Sequence, residues 1–251
     1  LTEAVRPKPA THLVGAGYGR TILRFAGDTA GPMLDLSGCR DVEVAGLALD
    51  AAGNPNVRQG VFATDAARLR LHGLAIRNLS APASHGILFT GNNPGRDHGV
   101  TDSEIRDCLI ENIAPEDPWG GAIRIAWGSS RNRILRNTIR NTGRGGILAN
   151  DGSTDLIIRG NTIEGSHGEG LGIEVWVGCD RAVIEDNRLD HWLSIGGSDL
   201  CAARRNVISD KSGVVKFIGI EGIGNNCVVT DNLVDDGQQI GISVSANIRK
   251  D

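Results

Sequence analysis

The chain has 251 residues, a formal net charge of −4, 35 glycines and only 4% aromatic residues. This length suits one large domain. An acidic balance with no basic stripe argues against a nucleic-acid partner, and no run of 18 apolar residues is present to span a membrane as a helix. With so few aromatics, Val, Ile and Leu must fill the core.

Read in chain order, apolar residues alternate with period two over short stretches until Gly, Asn or Asp interrupts them, and helix periodicity is absent. His12-Leu13-Val14 is the first strand, with Gly15-Ala16-Gly17 as its bend. Two phrases then recur about every two dozen residues. The first is Gly86-Ile87-Leu88, Ala122-Ile123-Arg124, Gly146-Ile147-Leu148, Gly172-Ile173-Glu174, Ser194-Ile195-Gly196, Gly219-Ile220-Glu221 and Gly241-Ile242-Ser243. The second is Asn137-Thr138-Ile139, Asn161-Thr162-Ile163, Asn187-Arg188-Leu189, Asn206-Val207-Ile208 and Asn232-Leu233-Val234. No interval holds a crossover helix, and the repeats are too short and too alike for a hairpin sandwich. The pattern predicts an all-β, single-domain parallel β-helix over residues 1–251, with nine to ten coils. Each second-phrase Asn is expected in a left-handed bend, bonded to its own backbone and to the Asn of the next coil. The longest excursions, residues 90–102 and 112–120, are expected to leave one region and wall a groove. No polar cap closes the last repeat, so a piece of a longer chain is expected.

The five cysteines cannot all pair within one chain. Cys201 and Cys227 each precede a repeat Asn by five residues and should stack on neighbouring coils, where a disulfide is geometrically open. A ladder of buried free thiols is the preferred reading. Gly15-Ala16-Gly17-Tyr18-Gly19 lacks the following helix that a phosphate site needs and reads as a bend.

These phrases, with the opening His12-Leu13-Val14-Gly15-Ala16-Gly17-Tyr18-Gly19-Arg20-Thr21-Ile22-Leu23, resemble the right-handed parallel β-helix superfamily of pectin-lyase-like proteins. The resemblance covers nearly the whole chain. It implies a carbohydrate-active protein, secreted or periplasmic, monomeric or homotrimeric, without naming the reaction. The paired-Asp, Gly-His-Gly and Arg-x-Lys set of polygalacturonases is absent. So are the Lys-Ser and Arg-His-Gly pairing of the fold's alginate and chondroitin lyases, and the Asp-Pro-His-Glu motif of alginate epimerases.

If each first-phrase Ile faces inward, the next residue faces out. The outward column then reads Leu88, Arg124, Leu148, Glu174, Gly196, Glu221, Ser243. A parallel column two residues on holds Asn150, Trp176 and Ser198, and the residues before each Ile, nearly all Gly, Ala or Ser, are expected to line a shallow trench. Glu174 and Glu221 would stand two coils apart, roughly 9.6 Å between backbones, near the ~6.5–9.5 Å of an inverting glycosidase pair. Gly196 would leave room between them for a sugar and a water. Glu174 and Glu221 are therefore the candidate catalytic acid and base of a glycoside hydrolase. Arg124, Asn150, Asp151, Trp176, Ser198 and Lys216 are candidate substrate-binding residues, with Trp176 stacking on a sugar and Arg124 holding an anionic group. A polysaccharide lyase is the second reading, with Lys216 or Arg124 as the base. A non-catalytic tailspike or adhesin module is the third. Asp151, Glu169 and Glu174 are too sparse to predict a metal site, and no cofactor is expected. His85, His167 and His191 precede first strands and read as solvated bend residues.

Overall fold

Each strand of this chain from the fourth onward pairs in parallel with the strand three places before it. The computed structural model describes residues 1–166, 171–209, 218–235 and 240–245, and among these holds 27 strands and no helix. The strands form three nine-stranded parallel sheets, each coil of the chain adding one rung to each sheet. This is the β-helix expected from the repeats, and its nine rungs match the nine to ten coils. Sheet 1 runs from His12–Val14 to Val228–Thr230, sheet 2 from Ile22–Arg24 to Leu233–Asp235, and sheet 3 from Gly31–Asp35 to Ile240–Ser245.

Period-two alternation produces the core directly. In sheet 3 the inward column is Val61, Ile87, Ile123, Ile147, Ile173, Leu193 and Ile220, paired rung to rung and fully buried. Sheet 2 supplies Leu49, Ile76, Ile110, Ile139, Ile163, Leu189 and Ile208. Sheet 1 supplies Val44, Leu71, Ile105, Ile134, Ile158, Ile184 and Ala203. Each fully buried aliphatic side chain contributes about 1.5–3 kcal/mol, so the three ladders hold the solenoid together.

The second-phrase asparagines form an interior ladder. Asn161 Oδ1 accepts from both the backbone N–H (2.9 Å) and the carboxamide (3.0 Å) of Asn137, while its own Nδ2 donates to Ile134 O and to Asn187 Oδ1, each at 3.0 Å. Asn187, Asn206 and Asn232 continue the pattern. The left-handed residue is not the Asn, as expected, but the one before it: Arg136, Gly160, Asp186, Arg205 and Asp231 all have positive φ. That turn aims the carboxamide into the interior, where Asn137, Asn161, Asn187 and Asn206 are buried. Left-handed asparagines do occur at the corner between sheets 2 and 3, at Asn78, Asn112 and Asn141. There Asn141 donates to Asn112, and Asn112 to Asn78.

All five cysteines are free. Cys39, Cys108, Cys179 and Cys201 are buried and Cys227 is partly so. Burial pushes the Cys108, Cys179 and Cys201 thiols up to about 12, which suits core filling rather than thiolate chemistry.

Candidate active site

The outer face of sheet 3 carries the site, and its register differs from the expected one at a single strand. In Leu193–Gly196 the residue level with Ile173 is Leu193, not Ile195. Ser194 therefore lies between Glu174 and Glu221, and Gly196 lies beside Trp176. The expected room at Gly196 between the glutamates is absent. Instead, a Cβ added to Gly196 would collide with the Trp176 ring, so the indole lies against the glycine backbone. The outward column is Leu88, Arg124, Leu148, Glu174, Ser194 and Glu221.

The expected trench of Gly86, Ala122, Gly146, Gly172 and Gly219 is also corrected. Rung pairing steps over the residue before each Ile, and these positions face the core. A Cβ on Gly86 would lie 2.8 Å from Ile110 Cγ2, and one on Gly146 2.5 Å from Ile163 Cγ2. The strand ends there meet sheet 2 too closely for a side chain. The outward small residues are one position earlier, at Gly121 and Gly145, between His85 and Leu171 in the same column.

A cavity of about 600 Å³ opens over this face, lined by Trp119, Arg124, Arg144, Asn150, Asp151, Glu174, Trp176, Trp192, Ser194 and Glu221, with Leu148 and Leu171 at its floor. The structure thus brings together Glu174, Glu221, Arg124, Asn150, Asp151 and Trp176 from the expected set. Ser198 does not join them. It is fully buried in the bend past the strand, where its hydroxyl accepts from Cys179 N at 3.0 Å. Lys216, His167 and Glu169 lie outside the described residues. His85 and His191 are 3% and 1% exposed rather than solvated. Among the described residues, no cluster of three or more His, Cys, Asp or Glu is placed to hold a metal ion.

The two glutamates have different partners. Glu174 is gripped bidentately by Arg144, Nε to Oε2 at 3.2 Å and Nη2 to Oε1 at 3.1 Å. The Arg144 guanidinium sits 5.6 Å from the centroid of the Trp119 ring, a cation–π arrangement that fixes both. Among the described residues, Glu221 accepts a hydrogen bond from the Ser194 hydroxyl at 2.9 Å. Arg124 donates from Nε to Asn150 Oδ1 at 2.9 Å, and its Nη1 lies 3.5 Å from His85 Nε2. Asn150 in turn donates to Asp151. Burial pushes His85 down to about 4, with the Arg124 charge adding to the effect. Burial also lowers Arg124 from the usual guanidinium range, against the pull of Asp151 and Glu174.

Sequence reasoning missed Arg144, Trp119 and Trp192, and it placed Ser194 in the trench column instead of between the glutamates. Arg144 stands immediately before the Gly-Gly pair that opens its sheet-3 strand, and that corner position is the signal for it. Trp119 lies on the 112–120 excursion, which does wall the groove. The 90–102 excursion leaves the opposite end of the same sheet, where Arg96 packs over Gly152 and Gly178, so the two flank sheet 3 instead of sharing one origin.

A family model for the right handed beta helix region matches residues 40–191, and the chain belongs to that family. No curated protein matches it. Among solved structures it is similar to the Dettilon tailspike protein gp208 (TM-score 0.64, 14% identity), covering 96% of this chain and 56% of that one. It is also similar to the A-module of the Azotobacter vinelandii mannuronan C-5 epimerase AlgE6 (TM-score 0.56, 11% identity, 95% and 81% covered). A third is an alginate lyase from Paenibacillus sp. str. FPU-7 (TM-score 0.55, 14% identity, 98% and 90% covered). The chain spans little more than half the length of the tailspike. At these identities the likeness shows the fold alone.

Proposed function

We propose that this chain degrades a polysaccharide lying along sheet 3, by glycoside hydrolysis, with Glu221 as general acid and Glu174 as general base. The observation that carries this is the unlike environment of two carboxylates on one cavity wall. Their backbones are two rungs apart, roughly 9.6 Å, and side chains that lean together enter the ~6.5–9.5 Å range in which an attacking water fits. Glu174 is assigned the base role because Arg144 holds it with two hydrogen bonds, a fixed bidentate geometry. Each Glu174 oxygen retains a lone pair to accept a proton from water. Among the described residues Glu221 meets the Ser194 hydroxyl and no cation, and it is assigned to carry a proton to the glycosidic oxygen. That bond then breaks, the water oxygen bonds to the anomeric carbon, and the water's proton passes to Glu174. Trp119 and Trp176, 65% and 44% exposed, offer ring faces for sugars. Two of the fold neighbours, an alginate lyase and a mannuronan epimerase, bear names that support a carbohydrate ligand.

A glycan panel with product mass analysis tests the reading, followed by Glu174→Gln and Glu221→Gln. Each replacement is expected to lower the rate at least roughly a hundredfold. Full activity in both variants would end this assignment. A second reading, β-elimination by a polysaccharide lyase, is favoured by the lowered proton affinity of Arg124, which brings it nearer to service as a base. An unsaturated, ultraviolet-absorbing product identifies that case. Glycan binding without cleavage identifies a non-catalytic module.

A further inference from the structure

Four described arginines are partly buried: Arg77, Arg106, Arg124 and Arg144. Three of them meet a carboxylate, Arg77 on Asp50 at 3.3 Å, Arg106 on Glu104 at 2.8 Å and Arg144 on Glu174 at 3.1 Å. Arg124 meets none. Its partners are Asn150 Oδ1 and His85 Nε2, both neutral acceptors. The nearest acids, Asp151 and Glu174, attract it but make no contact with it, because Glu174 is held by Arg144 and Asp151 is turned to the Asn150 amide. A partly desolvated cation without an anion is costly, and this one faces a cavity.

The geometry also leaves a defined face open. Asp151 takes the Asn150 amide group, which turns the Asn150 oxygen toward Arg124 Nε. His85 is on the neighbouring rung, its column closed above by Gly121, and as a buried neutral ring it accepts from Nη1 at one edge. A guanidinium has five N–H donors. With Nε and one Nη1 hydrogen engaged, one Nη1–H and both Nη2–H remain, which is the end-on fork that matches a planar or tetrahedral oxyanion. Leu88 and Leu148, the rung neighbours of Arg124, flank the fork with apolar walls that strengthen an ion pair.

We propose that Arg124, clamped between Asn150 and His85, is the receptor for a single anionic group, a carboxylate or a sulfate ester, on the saccharide that occupies the groove. This rests on the carbohydrate reading above and narrows it to acidic polymers. His85 is a positioning residue, because it holds the fork in place through Nη1.

The test is calorimetric binding of three oligosaccharides of equal length: a uronate oligomer, its carboxyl-reduced neutral counterpart, and a sulfated neutral oligomer. Wild-type protein is expected to bind at least one charged oligomer about tenfold or more tightly than the neutral one, as charge-assisted hydrogen bonds of ~1.5–3 kcal/mol require. The preferred anion shows whether carboxylate or sulfate is the ligand. Arg124→Gln should abolish the preference for the charged over the neutral oligomer. His85→Leu should weaken it, and His85→Gln, which restores an acceptor, should recover it, with melting curves confirming that each variant is folded. Equal binding of neutral and charged oligomers by the wild type, or a preference that survives Arg124→Gln, overturns the proposal and leaves the carbohydrate reading standing. Binding of none of the three at millimolar concentration overturns both.

Discussion

Replacing Asn161 by Ala tests the interior ladder on which the register of all three sheets depends. The side chain makes four hydrogen bonds, all between 2.9 and 3.0 Å. Two losses are softened. Asn187 Oδ1 still accepts from Asn161 N, and Asn137 Nδ2 still donates to Ile105 O. One is not softened: the Asn137 N–H, in a residue 1% exposed, loses its acceptor. An orphaned buried donor costs about 1–3 kcal/mol and each of the three remaining bonds about 0.5–1.5 kcal/mol, so the substitution should cost about 2.5–7.5 kcal/mol. Equilibrium denaturation in guanidinium measures the total, and amide exchange at Asn137 localises it. The same change at Asn232, which is only partly buried, should cost about half as much, because water replaces the lost partners. A loss below about 1 kcal/mol at Asn161, with Asn137 still protected from exchange, would refute the argument that the carboxamide satisfies that amide.

Two further outcomes follow from the geometry. Gly146→Ala should destabilise by about 1–3 kcal/mol, because the new Cβ would sit 2.5 Å from Ile163 Cγ2 and 2.8 Å from the Gly172 carbonyl, whereas Gly31→Ala, which meets nothing within 4 Å, should be nearly neutral; thermal denaturation distinguishes them. His85, faced by Arg124 and Asp117, titrates near 4 when folded against an ordinary 6.5. The unfolded chain therefore takes up this proton first as pH falls. Stability should be constant above about pH 7, drop by roughly 3 kcal/mol between 6.5 and 4, and level off below. The difference between wild-type and His85→Gln curves isolates this contribution from that of the carboxylates.

The fold was legible because its two causes are local. Apolar residues at alternate positions, and an Asn once per coil, can be counted without knowing what lies next to what, and both ladders appear where counted except at Leu193–Gly196. The site was legible only in part. Glu174, Glu221, Arg124, Asn150 and Trp176 stand on strands and inherit the repeat's alternation. Arg144 stands at a corner outside that alternation, and its partner Glu174 is thirty residues away on the next rung. Ser198 failed because it was placed by counting onward from Ile195, and the strand had already ended.

The slip at Leu193–Gly196 shows why a repeat phrase is weaker than the packing it stands for. Leu193 and Ile195 are both buried and two apart, so either can take the place level with Ile173 while every side chain keeps its face. The phrase Ser194-Ile195-Gly196 matches its neighbours as letters, but Gly196 is needed two positions on, under the Trp176 ring. A side chain there would lift the indole from the sheet. Moving Gly196 under the tryptophan moves Ser194 between the glutamates, and its hydroxyl then binds Glu221. Under the proposed hydrolysis, the space for a sugar and a water lies above the column, in the cavity bounded by Trp119, Trp176 and Trp192, and not in a gap within it. The difference between the two acids, one on an arginine and one on a serine, is a product of that two-residue shift.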